Sequence, residues 1–237
     1  MAQGRGPRPP SPAGNARLSQ RKGHHVASRP TFTTILLVRH ATTATTGSVL
    51  PGRAPGLHLS ERGVAQAAQL ATRLQELARK PTALYVSPLE RAKETAAPLA
   101  KALRLRPVVE RGLLECDFGT WTGKRLATLS RRAEWRTVQS APSTFRFPEG
   151  ESFSEMQLRV WGALERLARR HRNRTIVAVS HADPIKAAVT YAQGVPLDLF
   201  QRTVISPCSI SALVFTNATP IVLCVNNTGS LKELGPS

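Results

Sequence analysis

Short apolar runs alternate along this chain with longer stretches in which apolar residues recur at helical spacing. Thr33–Val38 is a near-continuous run of β-branched and Leu residues, and it predicts a strand buried on both faces. A Gly/Pro-rich loop follows, and Ser60 predicts the N-cap of a helix reaching about Arg79. Val64, Ala67, Ala68, Ala71, Leu74 and Ala78 recur at helical spacing there and are expected to face the core. A second strand over Ala83–Val86 ends in Ser87-Pro88, and Pro88 suits the first turn of a helix running to about Leu103. Pro98 should interrupt or kink that helix. A short strand over Pro107–Glu110 leads into a loop in which Trp121 is expected to pack against the sheet. Helices follow over Arg125–Arg136 and Ser152–Arg170, with irregular chain between them up to Gly150. Thr175–Val179 predicts a strand, and Asp183–Gln193 a helix stopped by Gly194. Two late strands are expected near Ser209–Phe215 and Ile221–Val225.

This alternation predicts an α/β fold with a mostly parallel sheet. One domain is expected over residues 31–230, with a short C-terminal tail at 231–237. Residues 1–30 are rich in Pro, Gly, Ser and Arg, contain no acid and lack apolar periodicity, so disorder is expected. That segment reads as a dispensable extension, with organelle targeting or a nucleic-acid-binding arm as alternatives.

Three of the predicted strands end in similar chemistry. The first ends in Arg39-His40, the second in Ser87-Pro88 with Arg91 one turn on, and a later one in Ser180-His181. Ligands of open α/β sheets bind beyond the carboxyl ends of the strands. Parallel pairing would therefore gather Arg39, His40, Arg91 and His181 at one edge, where helix N-termini also favour an anion. Two guanidiniums and two imidazoles describe a phosphoryl pocket. Each Arg offers bidentate contacts to phosphate oxygens, one His can attack phosphorus, and the other can donate to an equatorial oxygen. Uncatalysed monoester cleavage is extremely slow, so such charge is needed. Glu115 is the candidate general acid for the leaving oxygen, with Asp117 as the alternative.

Composition narrows the partners. The 237 residues carry a formal charge of +18, which suits nucleic acid, an acidic membrane or phosphorylated substrates. The basic residues form no single run or stripe, so nucleic acid is not the expected partner. No apolar run approaches the roughly 18–20 residues that cross a bilayer, and no apolar secretory region opens the chain. Three cysteines without CxxC spacing fit reduced thiols and a cytoplasmic protein. Cys116 reads as a small packing residue, Trp135 and Trp161 as helix-face packing, and His24, His25, His58 and His171 as surface residues.

Six ordered motifs resemble those of the histidine phosphatase superfamily, the phosphoglycerate mutase-like enzymes. They are Leu37-Val38-Arg39-His40-Ala41-Thr42-Thr43, Leu59-Ser60-Glu61-Arg62-Gly63, Ser87-Pro88-Leu89-Glu90-Arg91-Ala92, Leu114-Glu115-Cys116-Asp117-Phe118-Gly119, Pro148-Glu149-Gly150-Glu151-Ser152 and Val179-Ser180-His181-Ala182-Asp183. The resemblance spans about residues 33–215 and implies a three-layer αβα sandwich. It also implies His40 as phosphorylated nucleophile, Arg39, Arg91 and His181 as ligands of the phosphoryl group, and Glu115 as proton donor and later base. No cofactor or metal is implied. Ala41 stands where the family usually has Gly, and is expected to be tolerated unless the backbone needs positive φ. Thr45 and Thr46 stand where the family often has Asn. Arg53 follows Pro51-Gly52 where many members have Gln-Gly, and becomes a candidate substrate contact beside the hydroxyls of Thr43 and Thr46.

The implied activity is metal-independent hydrolysis of a small phosphomonoester through phosphohistidine. The alternative is a phosphomutase with the same nucleophile, for which Arg125–Gly150 is short. A basic nucleic-acid-binding protein with a vestigial pocket is the third reading. The sequence leaves substrate identity and oligomeric state open.

Overall fold

Strand β1 (Thr33–Arg39) lies inside a six-stranded sheet and explains its own composition. Leu36 and Val38 point into one hydrophobic cluster, and Ile35 and Leu37 into another on the opposite face. Both faces are covered, so the strand must be apolar at consecutive positions. The computed structural model describes residues 32–234 together with residues 1, 2, 4 and 6. The predicted tail at 1–30 thus lies almost wholly outside the described residues, as do residues 235–237.

The other strands are β2 (Leu84–Val86), β3 (Pro107–Val109), β4 (Thr175–Ser180), β5 (Ile210–Phe215) and β6 (Ile221–Asn227). Their order is β3-β2-β4-β1-β5-β6. The pairs β3–β2, β2–β4 and β4–β1 are parallel, whereas β5 runs antiparallel to both β1 and β6. The sheet is mixed and mostly parallel.

Helices α1 (Glu61–Leu74) and α2 (Glu90–Leu103) bury one stripe each on the first face, through Leu70, Leu74, Ala96 and Leu99. Helices α5 (Phe153–Arg170) and α6 (Ala182–Ala192) cover the second face through Val160, Leu164, Ile185 and Val189. Between α2 and α5 lie the short helices α3 (Leu126–Leu129) and α4 (Ala133–Ser140). A third cluster, centred on Phe118, Trp121, Phe147, Phe153 and Phe200, fixes the loops above the sheet.

The local signals hold at several caps. The Ser60 side chain accepts from Gly63 N–H, and Ser152 forms a capping box with Glu155 at the start of α5. Gly194 takes a φ of +68° after α6.

Elsewhere the structure departs from expectation. Helix α1 stops at Leu74 rather than near Arg79, and its buried stripe is Gly63, Ala67, Leu70, Ala71 and Leu74. Val64, Ala68 and Ala78 are exposed, because the stripe follows the bulkier Leu70 and Leu74. Helix α2 runs unbroken past Pro98, held by Thr95, Ala96 and Leu99 packed on the core. The single helix expected over Arg125–Arg136 is split. Arg132 is extended at the break, which places its guanidinium 5.3 Å from the Trp121 ring and stacks Trp135 on Trp121. Trp121 therefore packs into the aromatic cluster, not onto the sheet. His171 is half-buried, its Nε2 2.8 Å from the Tyr85 hydroxyl, whereas His58 is exposed and pairs with Glu94. His24 and His25 lie outside the described residues.

Phe147 meets the rings of Phe118, Trp121, Phe145 and Phe153 at centroid distances of 4.9, 5.4, 5.0 and 5.2 Å. Phe147→Ala is expected to lower unfolding stability by about 3–5 kcal/mol in urea denaturation. A loss under about 1 kcal/mol would show that this cluster is not a packed core.

Candidate active site

Strand order decides what converges. With β4 between β1 and β2, Arg39 lies beside Ser180, and Ser87 N–H donates to Val179 O at 2.9 Å. The carboxyl ends bearing Arg39-His40, Ser87 and Ser180-His181 are consequently neighbours. Arg91, in the first turn of α2, completes the group.

His40 is held from both sides. Its backbone N–H donates to Ser180 O at 2.9 Å, and its Nδ1 lies 2.7 Å from Ala41 O. A carbonyl can only accept, so Nδ1 carries the proton and Nε2 keeps its lone pair. Arg91 Nε donates toward that Nε2 at 3.3 Å. Burial first, and then the Arg91 and Arg39 charges, push the His40 pKa down to about 3. The ring is neutral at pH 7. Ala41 is fully buried in the α1/α2 core cluster, and its N–H donates to Thr95 Oγ1. It is not among the residues with positive φ, so Ala fits where the family has Gly.

The ring of His181 lies 5.1 Å from that of His40, and its Nε2 is 2.7 Å from Ser87 Oγ. Burial, and then the neighbouring cations, hold His181 well below the ordinary imidazole range. Arg39 anchors one donor on Ile205 O at 2.6 Å, and Arg91 anchors one on Gly52 O at 2.8 Å. Arg39 Nε, Arg91 Nη1 and His181 Nδ1 are buried without a hydrogen-bond partner among the described residues. Each such atom costs about 1–3 kcal/mol. Three of them in one cluster suit an anion with several acceptor oxygens.

Glu115 supplies the complementary chemistry. Burial, reinforced by the Asp183 carboxylate, pushes its carboxyl up to about 7 despite the opposing pull of Arg91. Its Oε1 accepts from Cys116 N–H at 2.9 Å. The loop beneath it is clamped. Arg53 and Arg159 both donate to Glu115 O, at 2.8 and 3.3 Å, and both pair with Glu151. Arg53 also reaches Asp117 at 3.3 Å. The Arg53 guanidinium is thus committed to the Glu115 loop. Gly119 locks the same loop: at a φ of +49° its Cβ position lies 1.9 Å from Pro148 O, so no side chain fits.

A cavity of about 350 Å³ opens onto Arg39, His40 and Glu115. Thr43 and Thr46 line it, with their hydroxyls 3.0 Å apart. Arg91 and His181 are fully buried in contact with His40 instead. Sequence reasoning missed Ser87 as the partner of His181, Arg159 and Glu151 as the clamp, and Asp183 and Lys186 on the cavity wall. Asp183 had a readable signal, two residues after His181 at the start of a helix. The clamp joins residues 8 and 98 apart and had none. Among the described residues, no group of three or more His, Cys, Asp or Glu could hold a metal ion, and no helix is long and apolar enough to cross a membrane.

The family model of the histidine phosphatase superfamily (branch 1) matches residues 35–228. The chain belongs to the histidine phosphatase superfamily. Among its relatives is phosphoserine phosphatase 1 of Hydrogenobacter thermophilus, 34% identical over 205 residues, covering 84% of this chain and 94% of the relative. A second, from Erwinia tasmaniensis and named probable phosphoglycerate mutase GpmB, is 30% identical over 179 residues, covering 75% and 82%. Bacillus stearothermophilus YhfR has a similar solved structure, with a TM-score of 0.75, 25% identity and coverage of 83% of this chain and 98% of that one. These matches give this histidine phosphatase chain the phosphoglycerate mutase-like fold.

The depressed His40 pKa has a signed consequence. The unfolded chain binds the proton near pH 6.5, and the folded protein only near 3. The stability that depends on neutral His40 is complete above about pH 6.5 and is lost as pH falls toward 3, with a slope approaching about 1.4 kcal/mol per unit. An NMR titration of the ligand-free protein should show the His40 ring neutral down to about pH 4. A midpoint near 6.5 would contradict the buried geometry.

Proposed function

We propose that this histidine phosphatase hydrolyses a small phosphomonoester through a phosphohistidine on His40. The observation that carries the reading is the Nδ1–H to Ala41 O bond, which leaves a neutral imidazole with its Nε2 lone pair beside Arg91. Arg39, Arg91 and His181 bind the transferring phosphoryl group with the buried donors described above. On substrate binding, Arg91 turns its N–H from Nε2 to a phosphoryl oxygen and frees the lone pair. With the Ser87 hydroxyl donating to His181 Nε2, the proton sits on His181 Nδ1, which donates to a phosphoryl oxygen.

His40 Nε2 attacks phosphorus, the phosphorus–oxygen bond to the leaving group breaks, and Glu115 gives that oxygen its proton. Glu115 then takes a proton from water as the water attacks the phosphohistidine. Phosphate leaves, and both residues return to their starting states. The two arginines stabilise the transferring charge, so the reaction proceeds without a metal. Thr43 and Thr46 border the phosphate position, and Arg53 positions the Glu115 loop. Residues 31–230 form the catalytic domain, and the protein acts in the cytoplasm.

Transfer back to substrate, as in a mutase, is the second reading, favoured by the Erwinia relative. One assay separates them. Wild type in EDTA is expected to release inorganic phosphate from a monoester panel, with His40→Ala inactive. Glu115→Gln should slow alkyl monoesters about 100-fold or more, and p-nitrophenyl phosphate far less, because that leaving group needs no proton. Full activity in His40→Ala would overturn the reading, and isomerisation of 3-phosphoglycerate without phosphate release would establish the mutase.

A further inference from the structure

The cavity wall carries charged groups that the proposed mechanism places on neither the phosphoryl group nor the leaving oxygen. Asp183 sits in the first turn of α6, and Lys186 lies one turn on. Their side chains are 16% and 17% exposed, and both line the cavity that opens onto Arg39, His40 and Glu115. Lys186 Nζ donates to Asp183 Oδ1 at 3.3 Å and to Gln201 Oε1 at 3.0 Å. It also lies 5.8 Å from the Phe200 ring, which fixes its stem.

Lysine has three N–H donors, of which these two bonds use two. Gln201 accepts through its oxygen, so its amide N–H groups remain as donors on the same wall. The second oxygen of Asp183 takes no hydrogen bond among the described residues. The wall therefore offers donors with a positive charge beside an acceptor with a negative one, and the pair is close to neutral overall. A second phosphate would call for unpaired cations, and a purely apolar leaving group would leave a partly desolvated ion pair unmatched.

We infer that Asp183, Lys186 and Gln201 form a leaving-group subsite for a zwitterionic, amino-acid-type phosphomonoester, with Lys186 and Gln201 on its carboxylate and Asp183 on its ammonium. This rests on the phosphomonoesterase reading and sharpens it. The apolar part of the wall, around Leu50 and Leu126, then packs only the short carbon chain. Lys186 and Gln201 determine specificity, because they touch the part of the substrate that does not react.

A wild-type substrate series tests this without any variant. O-phosphoserine carries both groups, 3-phosphoglycerate replaces the ammonium by a hydroxyl, and phosphoethanolamine lacks the carboxylate. Each loss should lower kcat/KM by about 10-fold or more, as expected for a charged hydrogen bond. Lys186→Met should lower the ratio of kcat/KM for O-phosphoserine to that for p-nitrophenyl phosphate by a similar factor. It should leave the ratio of phosphoethanolamine to p-nitrophenyl phosphate where it was. Equal rates across the wild-type series, or a variant that slows every substrate alike, would each overturn the subsite. Failure of wild type to release phosphate from any monoester would instead overturn the phosphomonoesterase reading.

Discussion

One hydrogen bond sets the state of the whole site. The carbonyl of Ala41 can accept but not donate, so it pins the proton of His40 on Nδ1 and exposes Nε2 as a base. That bond needs Ala41 where it is, and Ala41 is placed by the sheet end and by Thr95, whose hydroxyl accepts from its N–H and donates to Arg91 O. His40, the backbone turn that orients it and the helix carrying Arg91 are thus one unit. The apolar strand β1 is rigid because both its faces are buried, and that rigidity carries through to the position of the imidazole.

Electrostatics then divide the labour. Burial first, and then the Arg91 and Arg39 charges, keep both imidazoles neutral, while burial, aided by Asp183, pushes the Glu115 carboxyl up toward neutral pH. A neutral imidazole and a protonated carboxyl are the forms that the proposed first step requires. A free imidazole is already mostly neutral at pH 7, so the fold's larger effect on protonation there is on the Glu115 carboxyl, which would otherwise be ionised. The cost is partly visible as buried donors without partners among the described residues, which a bound anion would satisfy. The Glu151 carboxylate, between Arg53 and Arg159, keeps the Glu115 loop from relaxing away from this field.

Much of this was legible in the sequence because it is local. The β1, β2 and β4 runs, the Ser60 and Ser152 caps, and the strand-end residues Arg39, His40, Arg91 and His181 are each visible within a few neighbours. The less legible features depend on contacts between distant segments. Val64 shares the helical period with Ala67 and Ala71, yet it stays exposed in the first turn, and Ala78 lies beyond the end of α1. The break between α3 and α4 exists because Trp121 draws in both Arg132 and Trp135. Arg53 reads as a candidate substrate contact in the sequence, and its pairing with Glu151 and Asp117 shows only once the chain is folded. Pro98 shows the reverse case, where a strong local breaker yields to a well-packed helix face.

The proposed mechanism turns on which atom of His40 bonds to phosphorus. The most direct measurement quenches wild type in base during turnover of a monoester and identifies the phosphorylated residue and ring nitrogen by mass spectrometry and NMR. The tautomer fixed by Ala41 predicts phosphate on Nε2 of His40. Phosphate on Nδ1 of His40, or on His181, would contradict it.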